Sequence, residues 1–224
     1  MSPRRREGTP RPTADSLLAA ALRDAIVTGA LAPGTALREE ELAGSHEVSR
    51  HTVRAALATL HAERLVQIVP YAGARVATFD DAAVAGLQEL RAALESEAVR
   101  LITERHGAVW PTTVEGPILD AIERLGIAEA ADDWMEIIRA HADVHRRIVA
   151  ASGSPRIIEA HASLESEVLL LLAHVRPHYS RGELAAEHRA YLAALPRDGS
   201  ACVHAHLRHS TELIRAARAA ATSR

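Results

Sequence analysis

The sequence predicts a mainly α-helical protein in two parts, three helices closed by a β-hairpin and then a bundle made only of helices. Three observations predict it. Apolar residues recur at helical spacing along most of the 224 residues, whereas strand-like runs occupy one stretch alone, residues 65–79. Aromatic residues are 3% of a chain that is 48% hydrophobic, so the cores must be filled by Leu, Ile, Val and Ala, which suits packed helices. Charge divides the chain at about the same place: residues 1–78 carry a net of +2 and the remainder a net of −5. A mildly basic part joined to an acidic one reads as two domains with different partners.

Residues 1–12 carry Arg4, Arg5, Arg6 and Arg11 with prolines and little apolar content, which predicts a disordered Arg-rich arm. A helix follows from about Ala14 to Thr28, capped by Thr13, with Leu17, Leu18, Ala21, Leu22, Ala25 and Ile26 on one face. Gly29, Pro33 and Gly34 break it; a short helix spans about Glu39 to Gly44 and a longer one runs from Ser49 to near Glu63. Leu65 to Val69 and Ala74 to Phe79 then read as strands joined by the turn Pro70-Tyr71-Ala72-Gly73. Three helices and a hairpin, residues 13–79, is the order of a winged helix-turn-helix. Its core is small, so support from the second part or from a partner chain is expected. From Asp80 onward helices are predicted at about 80–105, 113–127, 133–151, 155–175, 182–195 and 199–221, with Asp133 and Ser154 as N-caps. Residues 80–222 thus form one all-helical domain.

Several function classes are excluded. Cys202 is the single cysteine, so no intramolecular disulfide forms. No apolar run approaches the roughly 20 residues of a membrane span, and no apolar stretch follows the Arg-rich start as it would in a secretory signal. A cytoplasmic protein is expected. With 26 basic residues, all Arg, against 29 acids, the net charge of −3 is too balanced to coat nucleic acid indiscriminately. The chain holds no H-E-x-x-H, nucleophile elbow or Gly-rich phosphate loop, and Cys202 lies in no motif. Glu187 and His188 are adjacent on a helix and point about 100° apart, so they make a poor catalytic pair. An enzyme is not expected; a metal-dependent hydrolase is the remote alternative.

Val48-Ser49-Arg50-His51-Thr52-Val53-Arg54 opens the third helix. Ser49 can cap it, turning first-turn N–H groups toward a phosphate. Arg50 and Arg54, four apart, project from one face, while Val53, Ala56, Leu57 and Leu60 supply the buried one. A recognition helix needs that split, because a guanidinium fork presented to the major groove pairs bidentately with guanine O6 and N7. A solvated helix face has the same pattern; the hairpin directly after it favours DNA.

Ile26, Gly29, Leu31, Pro33, Gly34, Leu37, Arg38, Glu39 and Glu41-Leu42-Ala43 resemble the first half of the winged-helix signature of the GntR family of regulators. Val48-Ser49-Arg50, Val53-Arg54, Ala56-Leu57, Leu60, Leu65-Val66 and Gly73-Ala74-Arg75-Val76 resemble the rest, with correct order and spacing. The resemblance implies Arg38, Arg50 and Arg54 as principal DNA contacts, Thr52 and His51 as secondary ones, and Gly73 at the wing tip. The alternative for Arg38 is a surface ion pair with one of Glu39 to Glu41. Two positions depart from the signature: His46 stands where an apolar residue is usual, and Glu47 where Gly serves a tight turn. Glu47 either strains that turn or alters its path, and it sets an acid near the phosphates, so weaker binding is expected.

Ten of the 13 histidines lie after residue 78. His141 and His145 are four apart and stack on one helix face. His188, with Tyr191, Leu192 and Leu195 at i+3, i+4 and i+7, points inward, and His206 and His209 lie on the last helix. Three helices can converge imidazoles on the bundle interior, where zinc or another borderline divalent ion accepts them at about 2.0–2.1 Å. A polar helix face is the other reading of such a pair.

Leu90-Arg91-Ala92-Ala93-Leu94-Glu95, the stretch from His145 through Ile148 and Ala151-Ser152-Gly153 to Pro155, and Glu187-His188 with Asp198 are similar to the FCD ligand-binding domain of the FadR branch of that family. The resemblance implies a metal held by an Asp and three His. Here the Asp position is His141, the next two ligands are His145 and His188, and the last falls on His209, with His206 as the alternate. Losing the carboxylate's charge favours zinc or nickel over manganese or magnesium. A metal-free polar pocket is the alternative. Arg91 would pair with a small organic-acid effector, or else bridge to Glu95. The whole then reads as a regulator, most simply a repressor, acting as a homodimer on an inverted-repeat operator. The rival reading is a helical domain that serves dimerisation only.

Overall fold

The computed structural model describes residues 12–69, 73–174 and 182–222. The Arg-rich arm, the turn residues Pro70 to Ala72 and the end of the helix expected at 155–175 lie, in whole or in part, outside the described residues.

Helix α1 (Ala14–Val27) buries Leu18, Leu22 and Ile26, while Leu17, expected on that face, turns to solvent. The chain then forms β1 (Ala36–Leu37), α2 (Glu39–Ser45), α3 (Arg50–Ala62), β2 (Val66–Val69) and β3 (Gly73–Val76). The strands make one antiparallel sheet in the order β1-β3-β2, with Leu37 opposite Ala74 and Gln67 opposite Arg75. Strand β1 was not expected: two residues between a Pro-Gly turn and an acidic run carry no alternation to read. The second strand stops at Val76, three residues short of the expected end.

Ile26, Val53, Leu60, Leu65 and Val76 are fully buried in the core of this first part. So is Leu170, which arrives from a helix of the second part. The small core is therefore completed from within the chain.

The second part is all helix: α4 (Asp81–His106), α5 (Thr112–Ala131), α6 (Trp134–Ala151), α7 (Pro155–Ala162), α8 (Glu165–His174) and α9 (Glu183–Thr222). The Asp80 carboxylate caps α4 by accepting from the Ala83 N–H at 2.7 Å, and Asp133 caps α6 from Glu136 at 3.1 Å. Helix α4 ends at Gly107, whose φ of +76° is open to glycine at no steric cost. One expected boundary differs and one is as expected. The helix expected at 155–175 is two helices, broken at Ser163 and Leu164, where the Ser163 hydroxyl donates to the Ala160 carbonyl and the Leu164 N–H to His161. The two helices expected at 182–195 and 199–221 are both present as the two limbs of α9, divided where Gly199 leaves helical geometry (φ +54°, ψ −131°) just past Pro196, so that the chain doubles back and sets the His188 and His206 rings 4.8 Å apart.

The buried carboxylate of Glu129 on α5 accepts from the N–H groups of Leu184 and Ala185 at 3.0 and 2.9 Å. It thereby satisfies two orphan donors of the first turn of α9 and pins the end of the helix that carries His188.

Candidate metal centre and DNA-reading head

Four histidines meet inside the bundle. Helix α6 supplies His141 and His145, α9 supplies His188 before its kink and His206 after it, and one ring nitrogen from each lies within 4.8 Å of the others. His209 is not among them; it is exposed, and the fourth position belongs to the alternate, His206. The reason is the face that the second limb of α9 turns inward. Beyond Gly199, Val203, Leu207 and Ile214 set the inward stripe, and His206 lies on it one residue before Leu207. Leu213, one turn beyond His209 on the same face, is beside that stripe rather than on it.

The outer nitrogens of three rings are spoken for. His145 Nδ1 lies 2.8 Å from Glu95 Oε2, His188 Nδ1 2.8 Å from the Leu184 carbonyl, and His206 Nδ1 3.1 Å from Glu187 Oε1. Each partner only accepts, so each Nδ1 carries a proton, and in a neutral ring that leaves Nε2 as a bare lone pair. Two of these lone pairs, on His145 and His188, face each other at 3.3 Å, and the buried His206 Nε2 has no hydrogen-bond partner among the described residues. Such an apposition calls for a cation between the rings. A proton is disfavoured: burial, and then the neighbouring histidines, hold His141 and His188 well below the usual histidine range, and burial pushes His145 down to about 4. A metal ion fits. A tetrahedral ion with bonds of about 2.0–2.1 Å separates its donors by roughly 3.3 Å. Backing carboxylates and a carbonyl are the usual means of fixing a metal-binding imidazole.

Glu95 is the hub behind the cluster. Fully buried, it also receives His161 Nε2 at 3.3 Å and Arg91 at 3.1 Å. Burial acts to raise its pKa, but the electrostatic pull of His145 and Arg91 and the two histidine hydrogen bonds hold it well below the carboxylate range. Arg91 is buried, and it makes the alternative bridge weighed for it, to Glu95, while donating to Gln88 Oε1 at 2.8 Å. With His145, His161, Leu164 and Val168 it lines a cavity of about 20 Å³, room for about one water.

His161, Glu187 and Tyr191 were not singled out from the sequence as site residues. His161 follows Ile157 and Ile158 at helical spacing, a signal that it faces inward. Glu187 had been weighed only against its neighbour His188; its partner is His206, one kink away. Tyr191 stacks on His206 with ring centres 4.2 Å apart, and its buried hydroxyl has no partner among the described residues.

In the first part, Ser49 caps α3, its hydroxyl accepting from the Thr52 N–H at 3.0 Å. Val53, Ala56, Leu57 and Leu60 form the buried face, and Arg50, His51 and Arg54 are exposed on the other. Thr52 shares its own hydroxyl with Ser49 at 2.8 Å, Arg38 precedes α2, and Gly73 opens β3 at φ +85°. Arg38 makes the ion pair weighed for it, with Glu41 at 2.9 Å; Arg50 pairs with Glu40 at 2.7 Å and Arg54 with Glu39 at 2.8 Å. Glu47 resolves its alternatives toward strain: it sits in the turn between α2 and α3 at φ +54°, a conformation that costs a side chain about 1–2 kcal/mol.

Residues 16–76 match the family described as bacterial regulatory proteins, gntR family, and residues 87–213 match the FCD domain. An uncharacterized HTH-type transcriptional regulator, BphR of Paraburkholderia xenovorans, is 30% identical over 211 residues, covering 87% of this chain and 82% of that one. Another, from an unstable DNA locus of Streptomyces ambofaciens, is 37% identical over 139 residues, and the match spans 59% of either chain. In fold, a GntR-type regulator from Rhodococcus sp. RHA1 superposes with a TM-score of 0.76 over 90% of this chain and 97% of that one, at 23% identity. No helix among the described residues is long and apolar enough to cross a membrane. The chain therefore belongs to the GntR family, a winged-helix DNA-binding transcriptional regulator with a C-terminal FCD domain, and is not an enzyme.

Proposed function

We propose that this regulator is a metal-dependent repressor of the bacterial cytoplasm, working as a homodimer whose grip on an inverted-repeat operator is set by a small organic acid. Residues 13–79 read DNA, with Arg38, Arg50 and Arg54 as principal contacts, Thr52 and His51 as secondary ones and Gly73 at the wing tip. Residues 80–222 pair the protomers and hold the metal and effector. His141, His145, His188 and His206 would hold one zinc or nickel ion, His206 replacing the His209 first expected.

The observation that carries the reading is the pair of facing Nε2 lone pairs on His145 and His188, each fixed by an acceptor behind it. When bound, such an ion supplies a Lewis-acidic point for a carboxylate. The chain's own residues do the rest. Glu95, Glu187 and the Leu184 carbonyl hold the rings in the ligating tautomer, and Arg91 offers a buried positive charge beside the cavity. Leu164 and Val168 close the cavity next to α8, and six residues on from Leu164 the same stretch of chain inserts Leu170 into the winged-helix core. Glu167 of that helix lies 3.8 Å from Arg64. An effector larger than the cavity must displace this segment, and the displacement reaches the DNA-reading part directly.

The test is a titration of metal-loaded protein, bound to a duplex it has selected from a random pool, with a series of di- and tricarboxylates. At least one is expected to change duplex affinity by about 5- to 150-fold. Unchanged affinity across the series would leave the helical domain with dimerisation alone.

A further inference from the structure

The three arginines that the winged-helix signature assigns to DNA are all occupied, and by three consecutive residues. Arg54 Nε donates to Glu39, Arg50 Nη2 to Glu40 and Arg38 Nη1 to Glu41, at 2.8, 2.7 and 2.9 Å. Acids in the first turn of α2 suit the positive end of its helix dipole. That role alone would leave the side chains free to point anywhere, yet every one of them reaches a different arginine. From Arg38 to Arg54 the head holds three Arg and four Glu, Glu47 being the fourth, a net charge of −1. A polyanion thus meets a reading surface with no net attraction of its own.

We propose that Glu39, Glu40 and Glu41 are specificity-determining residues, built-in competitors for the three reading arginines. The inference rests on the assignment of those arginines to DNA. A phosphate offers an arginine much the same partner as the carboxylate it must leave, and the abandoned carboxylate stays beside the DNA backbone and repels it. Random sequence, held by phosphate contacts alone, gains little from the exchange. A guanine edge in register adds a bidentate base contact that outweighs the loss.

The experiment compares full-length wild type with the E39Q/E40Q/E41Q variant by fluorescence anisotropy, on a random-sequence duplex and on a duplex selected by the wild type, at several salt concentrations. Glutamine keeps the length and an acceptor oxygen and removes the charge. Affinity for the random duplex is expected to rise roughly tenfold, the combined effect of three exposed pairs, and its salt dependence to steepen. The selected duplex should gain less than about threefold, so the discrimination ratio shrinks. An unchanged random-duplex affinity, or an equal gain on both duplexes, overturns the proposal. Should the triple variant fail to fold, E40Q repeats the test with a side chain 82% exposed, the expected gain then being about twofold. R50A and R54A in the same series separate the two readings. If they leave the selected-duplex affinity unchanged, the arginine assignment fails and takes this inference with it. If they weaken it while the glutamine variants change nothing, only the competitor role fails.

Discussion

Arg50→Ala and Arg54→Ala are each expected to weaken binding to the selected duplex by roughly 5- to 150-fold, the loss of one bidentate base contact worth about 1–3 kcal/mol. The fold should not notice. Both side chains are more than half exposed, at 59% and 66%, and each meets a single glutamate. An exposed pair of that kind contributes at most about 1 kcal/mol. The check is an anisotropy titration beside a thermal melt. Weakened binding with an unmoved melt identifies α3 as the reading helix. Full affinity in both variants would mean that DNA contacts lie elsewhere on the domain. Substituting Thr52 would be a poorer probe, since its N–H and hydroxyl both engage the Ser49 cap and binding and folding would change together.

Zinc at a hundredfold excess over its dissociation constant is expected to stabilise the wild-type protein by about 2.7 kcal/mol, raising its melting temperature by roughly 5–10 °C. The His145→Ala, His188→Ala double variant should show no such shift. It removes both of the facing Nε2 atoms, and losing even a backing partner of such a ligand costs about 10- to 100-fold in affinity. Scanning calorimetry with and without zinc decides it. An equal zinc-induced shift in both proteins would place the ion at some other group.

The sequence carried the elements whose signal is local. Helix α3 was legible because Ser49 caps it and Val53, Ala56, Leu57 and Leu60 repeat at helical spacing. The wing was legible from its change to a period of two. Three features were not, for physical reasons. The break between α7 and α8 falls at Ser163 and Leu164, where neither Gly nor Pro marks it and the apolar spacing continues. The choice between His206 and His209 turned on which face of the helix beyond Gly199 points inward. That face is set by packing against the limb before Gly199, and no spacing along the chain reports it. The groups behind the imidazoles act from another helix, as Glu95 with His161 does, or across the kink of α9, as Glu187 does, so no spacing in the chain announces them. Glu47 shows the converse. Its clash with a glycine turn was visible in the sequence, and the positive φ shows that the chain keeps the turn and bears the strain.

The most direct measurement is the metal content per chain, by elemental analysis, of full-length protein purified without a chelator or histidine tag. About one zinc or nickel ion per chain in the wild type, and none in the His145→Ala, His188→Ala variant, is the result predicted from rings whose lone pairs converge. No metal in the wild type, even after zinc is added and the protein washed, would contradict a metal centre. The cluster would then be a polar pocket, and the search for its ligand would begin at Arg91.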